Sequence, residues 1–462
     1  MNWVNPDNIR AQFSKCMSDM YQQEVPLYGD LIDLVQDVNA EELQHNPLLK
    51  QQLDASHELA RLSEERHGAI RLGTAQELTD MRRIFAVMGM YPVGYYDLVP
   101  AGVPVHATAF RAVDAASLAI SPFRVFTSLL RLELIENEEL RQLAADVLAK
   151  RQIFSSEALA LTEKFEQHGG LTEAEAEQFV QQVLETFRWH SDAPVTRELY
   201  DALHDQHRLI ADVVAFHGPH INHLTPRTLN IDEVQQGMHK RGIPPKAIIE
   251  GPPPRKCPIL LRQTSFKALD EAVYFQGAVE GFHSARFGEI EQRGIALTEK
   301  GRDLYDALLA QTRQIFNAPV TAANASNYME VLAQQFEAFP DSYRELHAQN
   351  LAYFYYDLVN AELAQNDAKT YTTDDLNTLI QNGIVKITPI VYEDFLPVSA
   401  AGIFQSNLGD HARSEYQTQS NQQQFEACLG TKVNDLVAMY ERTQQQSIQQ
   451  LLAQLNTPSP AL

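Results

Sequence analysis

Two short strings in the chain carry residue types that can hold a metal and an acid side by side. Arg66-His67-Gly68-Ala69-Ile70-Arg71 and Asn222-His223-Leu224-Thr225-Pro226-Arg227 each set a histidine four residues before an arginine. Residues four apart on a β-strand project from one face, so each imidazole is predicted to share a surface with its guanidinium. An imidazole nitrogen ligates divalent metals, and a guanidinium grips a carboxylate through two parallel hydrogen bonds at any relevant pH. A third string, Phe287-Gly288-Glu289-Ile290-Glu291-Gln292-Arg293, puts two carboxylates two residues apart, on one face of an expected strand. Like charges so close repel unless a cation or an arginine lies between them; a solvated edge strand accommodates them equally well. Two histidines and one carboxylate leave three neighbouring positions of an octahedron open. That suits non-haem Fe(II), which must take an organic chelate and O₂ together. Zinc more often takes a fourth protein ligand or a single water.

Two of the 15 histidines combine this spacing with an expected strand that opens a unit. His217, His220 and His223 are spaced by three and would align on a helix, but Gly218 and Pro219 break one. Of these three, only His223 shares the histidine-to-arginine interval of His67, while His106, His190 and His283 read as hydrogen-bonded or solvated residues. Arg71 is expected to point into the cavity, where an inward cation draws an acidic substrate to a chain of net charge −23. The competing expectation for Arg71 is a salt bridge to Glu64 or Glu65. Arg227 has the matching position, but Pro226 disturbs its strand.

Each histidine string is expected to open a strand–helix–strand–strand–strand unit. In the first, the strand from Arg66 leads to a helix from Gln76 to Met88, then to extended runs at Tyr91–Tyr96, Val105–Phe110 and Arg124–Leu130. In the second, the strand at His223 leads to a helix from Ile231 to Lys240, then to runs at Ala247–Ile249, Pro258–Gln263 and Phe287–Arg293. Paired sheets of this kind curl around a cavity into which side chains converge. The stretch from Leu132 to about Val214 reads as helical. Gly169-Gly170 stops one helix there, and Thr172 with Glu175 forms a capping box that opens the next. The first fifty residues are also helical, and Thr373-Asp374-Asp375 opens a helix that stops at Gly383 before a strand-like run, Ile384–Val391. A Gln-rich amphipathic helix forms the tail. The expected fold is α+β, with paired βαβββ-type modules in a curved sheet around a metal cavity, a large helical insertion and helical termini. Its regions are an N-terminal helical part (1–60), the first module (61–131), the insertion (132–215), the second module (216–300) and a C-terminal helical part (301–462). Within the last, segment 384–404 contributes to the cavity.

The 462 residues include 37 Lys plus Arg against 60 Asp plus Glu, and 44% are hydrophobic, enough for a sizeable core. No basic excess is present to displace counterions from nucleic acid. The uncharged, mostly apolar run Ile84–Tyr96 is broken by Gly89, Pro92 and Gly94, and it falls short of the ~20 residues of a spanning helix. The N-terminus lacks the basic and apolar regions of a signal peptide. Cys16, Cys257 and Cys428 are far apart and in no C-x-x-C arrangement, as expected of reduced thiols. A soluble, cytoplasmic protein with no nucleic-acid or membrane partner is expected.

Four strings together resemble one family: Ser63–Arg71, His220–Arg227, Phe287–Gly294 and Phe395-Leu396-Pro397-Val398-Ser399-Ala400-Ala401-Gly402-Ile403-Phe404. It is the 2-oxoadipate dioxygenase/decarboxylases, within the vicinal oxygen chelate superfamily, whose paired βαβββ modules hold one divalent metal. The likeness spans almost the whole chain. It implies Fe(2+) on His67, His223 and Glu291, with Arg71 and Val398 against the substrate. It further implies that 2-oxoadipate and O₂ become 2-hydroxyglutarate and CO₂. Since fold does not fix chemistry, a metal-dependent isomerase, lyase or ring-cleaving dioxygenase on the same scaffold is the alternative. A noncatalytic small-ligand binder and a helical interaction protein are the readings from other classes.

Overall fold

Three helices, α1 (Pro6–Glu24), α2 (Pro26–His45) and α3 (Pro47–Ala55), lead into the first module of the protein. The computed structural model describes residues 2–56, 58–360, 370–396 and 415–457. That module runs β1 (Arg66–Leu72), α4 (Ala75–Val87), β2 (Tyr91–Asp97), β3 (Val105–Arg111), α5 (Ala115–Ile120) and β4 (Arg124–Leu130). The helices α6 (Glu138–Ala149), α7 (Ser156–His168), α8 (Glu173–Leu184), α9 (Arg197–Gln206) and α10 (Arg208–Val214) follow. The second module comprises β5 (His223–Pro226), α11 (Ile231–Lys240), β6 (Leu261–Ser265), β7 (Asp270–Phe275), β8 (Val279–Ser284) and β9 (Phe287–Arg293). The architecture is α+β.

Among the described residues, seven strands form one sheet in the order β2-β3-β4-β1-β5-β9-β6. Its centre is symmetric. β1 and β5 pair antiparallel, and each has a parallel neighbour from its own module, β4 and β9 respectively. One face of this centre is apolar. Ile70, Leu72, Val125, Leu129 and Leu224 join Phe13 and Met17 of α1 in a single buried cluster. Asn5 caps α1 and Pro6 occupies its first turn, where a missing N–H costs nothing. Burying an aromatic such as Phe13 completely contributes roughly 1.5–3 kcal/mol. The opposite face carries His67 and Arg71 on β1, His223 and Thr225 on β5, and Glu289 and Glu291 on β9, all following from the period of two along a strand.

The local punctuation follows the sequence signals. Gly169 ends α7 at φ +77°, Thr172 and Glu175 form the box that opens α8, and Thr74 and Glu77 form another on α4. The stretch 247–249 differs from its expectation. It forms no regular strand, and its surroundings touch the sheet only through isolated bridges, Pro245 to Phe266 and Glu250 to Gln263. Pro244, Pro245 and Pro252–Pro254 remove ladder donors on both sides. The hairpin of β7 and β8 stands apart as its own two-stranded sheet. Helix α10 is separate from α9, which ends at an extended His207.

The chain falls into two compact units, one of residues 1–250, 263–292 and 395–434, and the other of 251–262, 293–394 and 435–462. In the second, α12 (Glu299–Phe316), α13 (Ala325–Phe336) and α14 (Tyr343–Ala348) precede β10 (Phe354–Leu358); α15 (Leu376–Gln381) precedes β11 (Val385–Pro389). β10 and β11 pair antiparallel, and the helix Leu436–Asn456 lies on them, Ser447 accepting from the Tyr356 amide at 2.7 Å.

Gly68 shows how closely the central strands approach. A Cβ added there would lie 2.6 Å from Ile221 Cδ1 and 3.0 Å from the His223 carbonyl oxygen. Gly68→Ala is expected to cost about 1–3 kcal/mol, seen as a lower urea midpoint at unchanged m-value. An unshifted midpoint would mean that β1 and β5 can separate there without cost.

Candidate functional site

Strand register assembles the site. His67 lies opposite Thr225, and the parallel pairing of His223 with Phe287 carries Thr225 level with Glu289. The row is closed by hydrogen bonds. Glu289 Oε1 accepts from Thr225 Oγ1 at 3.1 Å and from Gln263 Nε2 at 2.9 Å, and it meets His67 Nε2 at 3.1 Å. The other nitrogen of His67, Nδ1, lies 3.0 Å from Glu291 Oε2. His223 stands diagonally across, its ring centroid 5.8 Å from that of His67 and its Nε2 3.8 Å from Glu289 Oε1. All four side chains are fully buried.

The site contains four orphaned polar atoms. His67 Nδ1, both nitrogens of His223, and Glu289 Oε2 are buried and make no hydrogen bond. Four such atoms in one pocket are costly unless something polar occupies the space between them. A divalent cation fits, since imidazole nitrogens and carboxylate oxygens are its donors, and ligand atoms of His67, His223 and Glu289 lie within 4.8 Å of one another. The electrostatics point the same way. Burial opposes the charged form of His67, yet the Glu291 and Glu289 carboxylates outweigh it and raise the imidazole pKa. Burial raises the Glu289 carboxyl, with Glu291 adding to it. At His223 burial, helped by His67, Arg71 and Lys246, holds the imidazole well below its ordinary value.

An ionic frame backs the pocket. Glu65 accepts from Arg124 at 2.5 Å and from Arg227 at 3.1 Å; Arg227 also reaches Glu58 at 2.6 Å, and Arg124 comes within 4.0 Å of Glu291. The arginine four residues after His223 therefore braces the frame. The arginine after His67 turns elsewhere than to the expected Glu64 or Glu65: Arg71 Nη1 donates to Asp212 Oδ2 at 2.6 Å. The apolar rim includes Phe395, whose ring stands edge-on to His67 at 4.8 Å and to Phe126 at 5.4 Å. Val398 and the rest of 397–404 lie outside the described residues.

Sequence reasoning overlooked Asp212, Gln263 and Lys246. Asp212 had a signal, as the one charge in the apolar run Leu209-Ile210-Ala211-Asp212-Val213-Val214. His283, read as ordinary, and His220 flank that carboxylate. His217 is exposed and pairs with Asp192.

These observations define a class of protein: two related strand–helix modules sharing one sheet, with a buried pocket of two histidines and two carboxylates whose donors could hold a divalent cation. A family profile described as 2-oxoadipate dioxygenase/decarboxylase matches residues 13–407. The chain is 58% identical over 460 residues to the 2-oxoadipate dioxygenase/decarboxylase of Pseudomonas putida, with 99% of each chain covered. It is 56% identical over 446 residues to that of Escherichia coli, covering 96% of this chain and 98% of the other. The crystal structure of the hydroxyglutarate synthase in complex with 2-oxoadipate from Pseudomonas putida matches with a TM-score of 0.91 at 57% identity, over 99% of this chain and 100% of that one. The chain belongs to the 2-oxoadipate dioxygenase/decarboxylase family and is an oxidoreductase. Among the described residues no helix is long and apolar enough to cross a membrane.

Glu65 is the shared counter-charge of three buried arginines, Arg61, Arg124 and Arg227. Glu65→Gln is expected to destabilise the fold by ~3–5 kcal/mol, the cost of leaving a buried charge uncompensated. Equilibrium denaturation measures this, and a loss under about 1 kcal/mol would show that Glu58 and Glu291 suffice for Arg227 and Arg124.

Proposed function

We propose that the protein converts 2-oxoadipate and O₂ into 2-hydroxyglutarate and CO₂ in the cytoplasm, with Fe(II) held by His67, His223 and Glu291. The observation that carries this reading is the set of orphaned nitrogens and oxygen in the pocket. Glu289 Oε1 is already engaged by Thr225, Gln263 and His67 Nε2, which leaves His67 Nδ1 to ligate; Nδ1 faces Glu291 Oε2 at 3.0 Å without hydrogen-bonding to it. In this assignment Glu289 holds the His67 ring by its far N–H, the supporting role that carboxylates commonly play beside metal-bound histidines. When bound, the iron supplies O₂ activation and a chelation point for the 2-oxo acid.

The remaining work falls to the chain's own residues. Arg71 holds the substrate's far carboxylate, so the carbon beyond the keto carbon, which takes the new hydroxyl, stays at the reacting centre. Phe395 and Phe126 wall the pocket with apolar surface and limit water. The reaction balances without a second reductant: one carbon leaves as CO₂, and both oxygen atoms of one O₂ enter the products, one in the new carboxylate and one in the new hydroxyl.

Anaerobic reconstitution with Fe(II), followed by O₂ uptake with 2-oxoadipate, tests this. ¹⁸O₂ should label both the carboxylate and the hydroxyl of 2-hydroxyglutarate. 2-Oxoglutarate, one methylene shorter, should react poorly because it cannot span the metal and Arg71 together. Turnover without O₂, or a hydroxyl without label, would promote the isomerase or lyase alternative. Metal analysis tests the ligands separately. His67→Ala, His223→Ala and Glu291→Gln should lose the ion, whereas Glu289→Gln should keep it with affinity weakened ~10–100-fold. The reverse outcome for the two glutamates would transfer the ligand role to Glu289.

A further inference from the structure

We infer that Asp212, supplied by the helical insertion, is the positioning residue that sets the pose of the Arg71 guanidinium; the inference rests on Arg71 being the group that holds the substrate's far carboxylate. Asp212 lies on α10 and Arg71 on β1, 141 residues apart, joined by the 2.6 Å hydrogen bond from Nη1 to Oδ2. The other carboxylate oxygen, Oδ1, meets His283 Nε2 at 2.8 Å and His220 Nε2 at 3.3 Å. His283 Nδ1 in turn meets the Tyr200 hydroxyl at 2.9 Å. The result is a chain of groups, Tyr200–His283–Asp212–Arg71, drawn from α9, β8, α10 and β1.

The chain is held rigidly. Asp212, His220 and His283 are all buried. The Trp189 indole stacks on His283 with planes 10° apart and stands edge-on to His220 at 4.7 Å, while the Phe216 ring lies 4.7 Å from His283. Neither imidazole can turn without displacing an aromatic ring. Burial favours a neutral Asp212, but Arg71 and His220 overcome it and keep the carboxyl well below its ordinary range. A fixed anion thus grips one N–H of Arg71, and a guanidinium offers five.

Asp212, His220 and His283 also lie close enough to hold a cation. Their donors are committed elsewhere. Oδ2 belongs to Arg71, and both nitrogens of His283 are hydrogen-bonded, which leaves His220 Nε2 as the one orphaned nitrogen of the three residues. The arrangement is an orienting relay and not a second metal cage. The helical insertion between the two modules thereby pre-sets the arginine that distinguishes a diacid from a monoacid. A pre-oriented donor loses less freedom on binding than one that must be ordered by the ligand.

The test uses wild type, Asp212→Asn, Arg71→Lys and the double variant, each loaded with Fe(II). The substrates are 2-oxoadipate and 2-oxohexanoate, which has the same length but lacks the far carboxylate. Asp212→Asn should raise KM for the diacid with little change in kcat, lowering the diacid-to-monoacid ratio of kcat/KM about tenfold. The double variant should be no worse than Arg71→Lys, because both act through one guanidinium. Tyr200→Phe, the milder change at the far end, should move the ratio in the same direction if Asp212→Asn fails to fold. Equal losses on both substrates, additive losses in the double variant, or two metal ions per chain with one lost in Asp212→Asn would each overturn the relay. Wild type inactive on both oxo acids would instead strike the proposed reaction. Calorimetric binding of 2-oxoadipate to wild type and Asp212→Asn then decides the relay by itself, equal affinities overturning it.

Discussion

The antiparallel pairing of β1 with β5 is the constraint on which the site depends. These strands open the two modules, and their register places His67 opposite Thr225. His223 is therefore a diagonal neighbour of His67, opposite Ala69, whose backbone carbonyl accepts from the Asn222 amide at 3.1 Å. Diagonal neighbours on a sheet lie ~7–8 Å apart at Cα, within reach of long or aromatic side chains, and the two imidazoles meet at 5.8 Å. The small side chain of Ala69 leaves that diagonal open. A slip of one residue would turn the histidine of the slipped strand into the apolar cluster beneath and part the pair. The close fit at Gly68 opposes such a slip, because the strand there admits no side chain.

The register also decides how two glutamates on one face come to differ. Glu289 falls in the row of His67 and Thr225 and accepts hydrogen bonds from Thr225 and Gln263. Glu291 falls one row further on, level with Arg227 and near Arg124. Two carboxylates in a buried pocket are tolerable because each has its own counterweight: Glu289 has hydrogen bonds, and Glu291 has the edge of a cationic frame. In the frame Arg61, Arg124 and Arg227 face Glu65 and Glu58, so the excess charge behind the site is positive, on the side of Glu291.

The sequence made legible whatever depends on local spacing. His67 and His223 could be picked from fifteen because the same interval to an arginine recurs at the head of two units, and the caps at Thr172 and Gly169 follow from short-range backbone needs. It did not show what depends on contacts between distant segments. The identical interval hides opposite fates: Arg227 turns back to Glu58 and Glu65, whereas Arg71 reaches Asp212 on a helix outside either module. His283 looked ordinary because its hairpin, β7–β8, turns through Gly277 and Ala278 at φ +83° and +59°, and alanine carries no turn signal. The strand expected at 247–249 failed for a local reason: its flanking prolines remove ladder donors, and a β-branched run cannot replace them.

The pocket is polarised, and its two halves suit opposite partners. Around His67 the field is negative, from Glu289 and Glu291, and it favours a cation. Around His223 it is positive: Arg71 and Lys246 both push that imidazole toward its neutral form, and Lys246 itself is pulled down to about 8, chiefly by burial. A neutral imidazole has the free lone pair that metal ligation requires. The same cations that keep His223 neutral attract an anion to the side of the pocket away from the carboxylates. Arg208 belongs to this group: burial and the Arg71 charge lower its pKa, and its own charge acts on Lys246. In a chain of net charge −23, long-range attraction does not bring a dicarboxylate to the site, and salt screens it beyond ~10 Å in any case. Local cations held in place by Asp212 and by burial can do so. Each half of the pocket favours a ligand of the opposite sign, so cation and anion binding are expected to favour one another.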